Sequence, residues 1–317
     1  MNTRFLPLIL LLSLGLAAGG CSHMAVQTQT TANDEASSDN RVPGTRDNHS
    51  VCLTPEAGGV IVYANDSITV DASNQSEGYL IIRYTGASSK VKLQITGPNG
   101  ITYTYSPSVN GGADEVYPLN SGDGVYTVNA YENIHQNQYA AIFSQALDVT
   151  LRDEMLPYLY PNLYVSFDED SAAVSLARDL ALSADDDLEV ISSVYNYIIE
   201  HVRYDHEKAR SIHSGYLPDI DETLETGTGI CLDYAALMTA MLRSQRIPTR
   251  VEVGYVGTAY HAWISTFVEE VGWVNGMIKF DGHDWSLMDP TFASTTEADQ
   301  LKDFIGNGEN YILKYVY

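Results

Sequence analysis

"GTGICLDYAALMTAMLR", Gly227 to Arg243, decides how this chain is read. Two glycines precede a cysteine, and the residues behind it form a helix that is apolar nearly all round. Such a helix belongs inside a fold, not on its surface. Cys231 therefore stands at the mouth of a buried helix. There the free N–H groups and the helix dipole favour thiolate over thiol, and cysteines so placed fall from about 8.5 toward about 3.5 to 7.5. Gly227 and Gly229 allow a tight approach of the backbone, and the N–H of Cys231 faces the place where an oxyanion would develop. The stretch reads as the seat of a cysteine nucleophile.

A nucleophile of this kind needs a base to take and return its proton, and the base needs a group that orients it. Strand patterns follow the helix: "TRVEVGYV", "YHAWISTFV", "GWVNGMIKFDG" and "HDWSLMDPTF". His261 and Asp289 lie in or just after these strands and are the candidate base and orienting group. A buried helix followed by antiparallel strands is an α+β arrangement. Upstream, "SADDDLEVISSVYNYIIEHVRYD" predicts an amphipathic helix with Ser183 as N-cap and Asp186 three residues on; Leu188, Ile191, Tyr195, Ile198, Ile199 and Val202 share its apolar face. The acids of "DDD", "FDED" and "PDIDE" lack the twelve-residue calcium-loop spacing and are read as caps and solvated surface.

The N-terminal half has a different period. Between Val51 and about Leu151, short runs alternate at period two and are separated by Gly, Asn, Asp and Ser. In "VKLQITGPNGITYTY", Val91, Leu93 and Ile95 point one way and "GPNG" turns the chain. Ile101, Tyr103 and Tyr105 then return opposite them as a hairpin. "GYLIIRYTG", "GVYTVNAY" and "YAAIFSQALDVTL" add strands at spacings that suit an antiparallel sandwich. Its tyrosines are read as packing residues. Pro157 and Pro161 mark the boundary. The expected organisation is an export signal at 1–20, a flexible polar tether at 21–50, an Ig-like β-sandwich at 51–160 and a second domain at 161–317.

Arg4 and the apolar run "FLPLILLLSLGLAA" form the export signal, too short to span a bilayer comfortably. It ends in "AAGGCS", which resembles the bacterial lipoprotein processing site, with Cys21 as the lipidated residue and Ala18 where relatives usually have Leu. Simple secretion is the alternative. With Cys21 carrying lipid, only Cys52 and Cys231 remain, in different expected domains, so no bridge between them is expected. The formal charge of −24 argues against phosphate-backbone recognition, and no nucleic-acid partner is expected.

Three separated pieces in order resemble the transglutaminase-like superfamily of cysteine enzymes. They are "GICLDYAALMTAMLRSQRIPTRVEVGY", "YHAW" and "WSLMDPTF", and with "RYD" and the preceding helix the resemblance runs from about Leu163 onward. It implies a papain-like α+β core behind the sandwich. It also implies Cys231 as nucleophile, His261 as general base and then acid, and Asp289 holding the imidazole. Tyr204, in "RYD", is the candidate second oxyanion donor. Leu232 and Arg246 stand where relatives commonly have glycine. Trp263 and Trp285 are read as core or as site walls. The expected reaction is acyl transfer on amide bonds through a thioester, without metal or organic cofactor, hydrolytic or cross-linking. The expected substrates are proteins or peptides, cell-wall peptides among them, with the membrane met through the N-terminal lipid. A catalytically inert surface adhesin or scaffold of the same fold is the rival reading.

Overall fold

The computed structural model describes residues 41–109, 112–269, 271–275, 277–280, 285–288 and 311–317. Cys21 and the expected signal lie outside these residues. The first half supplies β1 (Val62–Ala64), β2 (Ile68–Asp71), β3 (Tyr79–Tyr84), β4 (Val91–Thr96), β5 (Thr102–Tyr105), β6 (Glu115–Pro118), β7 (Gly124–His135) and β8 (Gln138–Val149). They make two antiparallel sheets, ordered β1-β2-β3-β6 and β5-β4-β7-β8. The hairpin read from "GPNG" is there, with Leu93 opposite Tyr105 and Ile95 opposite Tyr103. Alternation buries Ile68, Val70, Leu80 and Ile82 of one sheet, and Leu93, Ile95, Tyr126 and Val128 of the other. Removing each such side chain from water contributes roughly 1.5 to 3 kcal/mol.

The second half opens with α1 (Ala172–Leu180) and α2 (Asp187–His201), followed by β9 (Arg203–Tyr204), α3 (His206–Ser211), α4 (Ile220–Thr226) and β10 (Thr228–Gly229). The apolar helix is α5 (Cys231–Ser244); after it come β11 (Thr249–Val256), β12 (Ala259–Val268), β13 (Gly272–Asn275), β14 (Met277–Phe280), β15 (Trp285–Met288) and β16 (Tyr311–Val316). β13, β12, β11 and β16 form an antiparallel sheet, and β14 pairs with β15. Every residue of α5 from Asp233 to Ser244 is buried, because α1, α2 and α4 pack against it on one side and β11 and β12 on another. This mixed α and β architecture, sandwich first and α5-centred core second, is the fold class expected from the sequence.

One expectation about helix ends is corrected. The N-cap of α2 is Asp186, not Ser183: the Asp186 carboxylate accepts from Glu189 N at 2.9 Å, and Glu189 reaches back to accept from Asp185 N at 2.8 Å. The acids that crowd this start take over the capping that a serine would otherwise supply. The buried stripe of α2 is Val190, Ile191, Val194, Tyr195 and Ile198.

A second correction concerns the end of the expected tether. Residues 41–51 lie against the α-helical half as a strap. Thr45 N donates to Asp185 at 2.8 Å, the Arg46 guanidinium holds Asp187 at 2.6 Å and the Gln245 carbonyl at 2.6 Å, and Val51 N donates to Ser244 O at 2.8 Å. Arg246, at the glycine position, does take the left-handed conformation, with φ of 64°. Its guanidinium compensates by holding the strap through the Asp47 carboxylate, the Asp47 carbonyl and the His49 carbonyl. Arg246→Gly should relieve about 1 kcal/mol of backbone strain while releasing the strap. The expected result is a melting temperature nearly unchanged and faster hydrogen exchange at amides 45–51. Unchanged exchange there would show that the strap is held without Arg246.

Candidate active site

Cys231 is the first residue of α5, half-buried, behind an Ile230 N-cap with extended backbone. Isoleucine has no capping oxygen. Asp233, two residues past the cysteine, takes over: its Oδ2 accepts from Ile230 N at 2.8 Å. Gly229 is what allows this, since a Cβ there would stand 2.8 Å from Cβ of Asp233. Gly227 ends α4 in the left-handed conformation, φ 59°, and swings the chain toward Cys231. The short parallel pair of β9 and β10 sets Tyr204 beside Gly229, so both strands lead to the helix mouth.

Asp233 is fully buried and is the residue the sequence reading missed. Tyr216 donates its hydroxyl to Oδ1 at 2.5 Å, and Lys208 lies 2.8 Å from Oδ2 and 4.8 Å from the Tyr216 ring centroid. The signal was a lone carboxylate in the first turn of an otherwise apolar helix, which makes sense only when capping and pairing partners meet it. Through these contacts α3 and the loop before α4 are tied to the turn that carries Cys231. Burial first, and then the hydrogen bond to Asp233, push the Tyr216 phenol up to about 12. An acid whose folded pKa is raised stabilises the fold while it stays protonated. That contribution is full below about pH 10, the free phenol value, and is lost as pH rises toward about 12. Difference absorbance titration of wild type against Tyr216→Phe should place one phenol near 12, and Asp233→Asn should lower it. A difference spectrum titrating near the free value of about 10 would remove the pairing.

His261 sits on β12, buried, opposite Gly254 of β11, and its ring stacks on Trp263 at 6.3 Å. Gly254 has no room for a side chain, because a Cβ would meet Ile312 O at 2.0 Å. Cys231, His261 and Tyr204 line one cavity of about 520 Å³, together with Tyr216, Tyr260 and Leu232. Burial is the first cause holding the Tyr204 phenol above its ordinary value, and the Cys231 charge adds to it, as it does for Tyr260. Tyr204 therefore stays a hydrogen-bond donor across neutral pH. Asp289 lies outside the described residues. So does the side chain of Trp285. Trp263 is core: buried, it donates to Glu252 at 2.5 Å, and Arg250 pairs with the same carboxylate at 2.7 Å. Cys52 and Cys231 are both free thiols. Burial, with Glu169 and Asp168 adding to it, pushes the Cys52 thiol up to about 11, so it is inert near neutrality. Among the described residues, no cluster of three His, Cys, Asp or Glu side chains is arranged to hold a metal ion. No helix among them is long and apolar enough to cross a membrane.

Residues 174–276, from α1 through β13, match the family model of the transglutaminase-like superfamily. A UPF0252 protein of Methanocaldococcus jannaschii is 28% identical over 105 residues, which cover 29% of this chain and 30% of that one. The chain thus spans under a third of that relative's length. Among solved structures, a candidate cysteine protease from Cytophaga hutchinsonii is similar over 81% of this chain and 74% of its own, with 16% identity and a TM-score of 0.38. The periplasmic domain of TgpA from Pseudomonas aeruginosa, bound to ethylmercury, is similar over 76% of this chain and 78% of its own, with 14% identity and a TM-score of 0.34.

Proposed function

We propose that this protein is an exported acyl-transfer enzyme that cleaves or exchanges amide bonds of proteins or peptides through a thioester on Cys231. The observation that carries the reading is the shared cavity: a cysteine on the first turn of a buried helix and a histidine from β12 line the same 520 Å³ space. In the proposed cycle the Cys231 sulfur adds to the amide carbonyl. The oxyanion so formed takes hydrogen bonds from the Cys231 N–H and the Tyr204 hydroxyl. His261, steered by Asp289, passes the thiol's proton to the departing amine as the C–N bond breaks. Water or a second amine then adds to the thioester. His261 accepts its proton and returns it to the sulfur, releasing an acid or a new amide. The apolar run at 5–18 and "AAGGCS" support export, with lipid on Cys21 and action on envelope proteins or cell-wall peptides.

Wild type and Cys231→Ala are incubated with a mixed peptide library, with and without a primary amine, and the products are read by mass. Cleavage, deamidation and amine incorporation give different masses, so one assay separates the reaction classes. Products that form equally with Cys231→Ala, or no product at all, would sink the proposal.

A further inference from the structure

The sheet ordered β5-β4-β7-β8 ends at β5, and its outer side is open among the described residues. Gly97 N donates to Ile101 O at 3.0 Å, and the register then pairs Ile95 with Tyr103 and Leu93 with Tyr105. In an antiparallel ladder this phase turns the N–H and C=O groups of Tyr103 and Tyr105 toward β4. Those of Thr102 and Thr104 turn outward. Such an edge is a template for another strand unless charge, proline or a bulge blunts it, and "TYTY" has none of these.

This edge runs into the candidate active site. Thr104 and Ser106 line the same cavity as Cys231 and His261. The Ser106 side chain would lie 3.6 Å from a Cβ placed on Gly215, which precedes the Tyr216 that is bonded to Asp233. One wall thus passes from β5 through Gly215 and Tyr216 to the first turn of α5. The rings of Tyr103 and Tyr105 are buried on the inner face, and the Thr104 hydroxyl accepts from Gln94 at 3.2 Å. What β5 offers along its edge is therefore backbone. A row of alternating donors and acceptors at strand spacing is matched by a polypeptide main chain, whose amide carbonyls are also what a thiolate would attack.

We propose that the substrate of Cys231 is an extended polypeptide segment that adds to the outer edge of β5 as a further strand, which makes the sandwich half of the substrate site. This rests on the acyl-transfer reading above. It predicts recognition by backbone with little regard for sequence, and poor use of amides too short to reach β5.

The test uses Cys231→Ala protein and two pools of fluorescein-labelled dodecapeptides of random sequence, one unmodified and one with every second backbone nitrogen methylated, read by anisotropy. Methylation should weaken binding about tenfold, the equivalent of one or two lost hydrogen bonds. Thr104→Pro, added to the same protein, removes an outward N–H and no bond to β4. It should weaken binding of the unmodified pool about tenfold and erase the difference between pools, while Thr104→Val should behave as the parent. Far-UV circular dichroism and melting verify that each variant folds; a Thr104→Pro that fails to fold leaves the methylated pool on the parent protein to decide. Equal binding of both pools, no binding of either, or a folded Thr104→Pro that still discriminates would overturn the proposal. So would a dimer that forms through β5 and resists peptide. Discrimination without any Cys231-dependent product from the wild type would leave the docking standing and remove the acyl-transfer reading. Product without discrimination would do the reverse.

Discussion

Exchanging Cys231 for alanine or serine should lower kcat on any substrate found in the library by about a thousandfold or more, and His261→Ala should cost about as much. The size follows from the division of labour. In the proposed cycle the sulfur forms the bond to carbon, and the imidazole delivers a proton to an amine that otherwise leaves as a poor anion. Because the two groups act in one proton transfer, their losses should not multiply. The double variant Cys231→Ala/His261→Ala should be no slower than Cys231→Ala by more than a few fold. His261→Ala should also slow alkylation of Cys231 by iodoacetamide at neutral pH, with Cys52 left as the unreactive internal reference. Serine at 231 retaining most of the activity, or losses that multiply fully, would show that the pair does not work as a unit.

The largest effect on stability is expected at Arg243. Its side chain is fully buried at the end of α5 and donates to three carbonyl oxygens: Thr249 O at 2.8 Å, Tyr160 O at 2.6 Å and Tyr317 O at 3.1 Å. These come from the start of β11, the exit of the sandwich and the residue after β16. Arg243→Ala would take a donor from all three acceptors, of which Tyr317 O keeps its bond from Val251 N at 2.9 Å, and would open a cavity; together these changes cost several kcal/mol. We expect a loss of about 4 kcal/mol or more, and a fall in melting temperature of about 10 °C. Arg243→Lys should recover only part of this, because a single ammonium cannot span three separated carbonyls as a planar guanidinium does. The check is denaturant and thermal unfolding of the three proteins. A loss below about 1 kcal/mol for Arg243→Ala would mean that water reaches those carbonyls.

What could be read in advance follows the range of each interaction. Period two fixed the β4–β5 hairpin and its register, since Val91, Leu93, Ile95, Tyr103 and Tyr105 needed only a tight turn between them. The buried character of α5 was equally plain from its composition. Cys231 at its mouth was legible because a helix end is a local property. Asp233 was not, because its meaning lies in Lys208 and Tyr216, which are distant in sequence and close only in the fold. The strap at 41–51 was missed for the same reason: a polar stretch looks free until Asp185, Asp187 and Arg246 are known to wait for it. At the start of α2 several acids and a serine compete for the cap, and residue types alone do not rank Ser183 against Asp186.

The tyrosines at the meeting of the two halves have a consequence for how such a protein can change over generations. Tyr103 and Tyr105 of β5 lie against Tyr164, Tyr315 and Tyr317, with ring centroids between 5.5 and 6.3 Å apart across the junction. Recombination that transplanted either half alone would leave half of this nest bare to solvent, a sticky wound that invites aggregation. The halves should therefore be inherited as one cassette, with substitutions on one side of the nest answered by substitutions on the other.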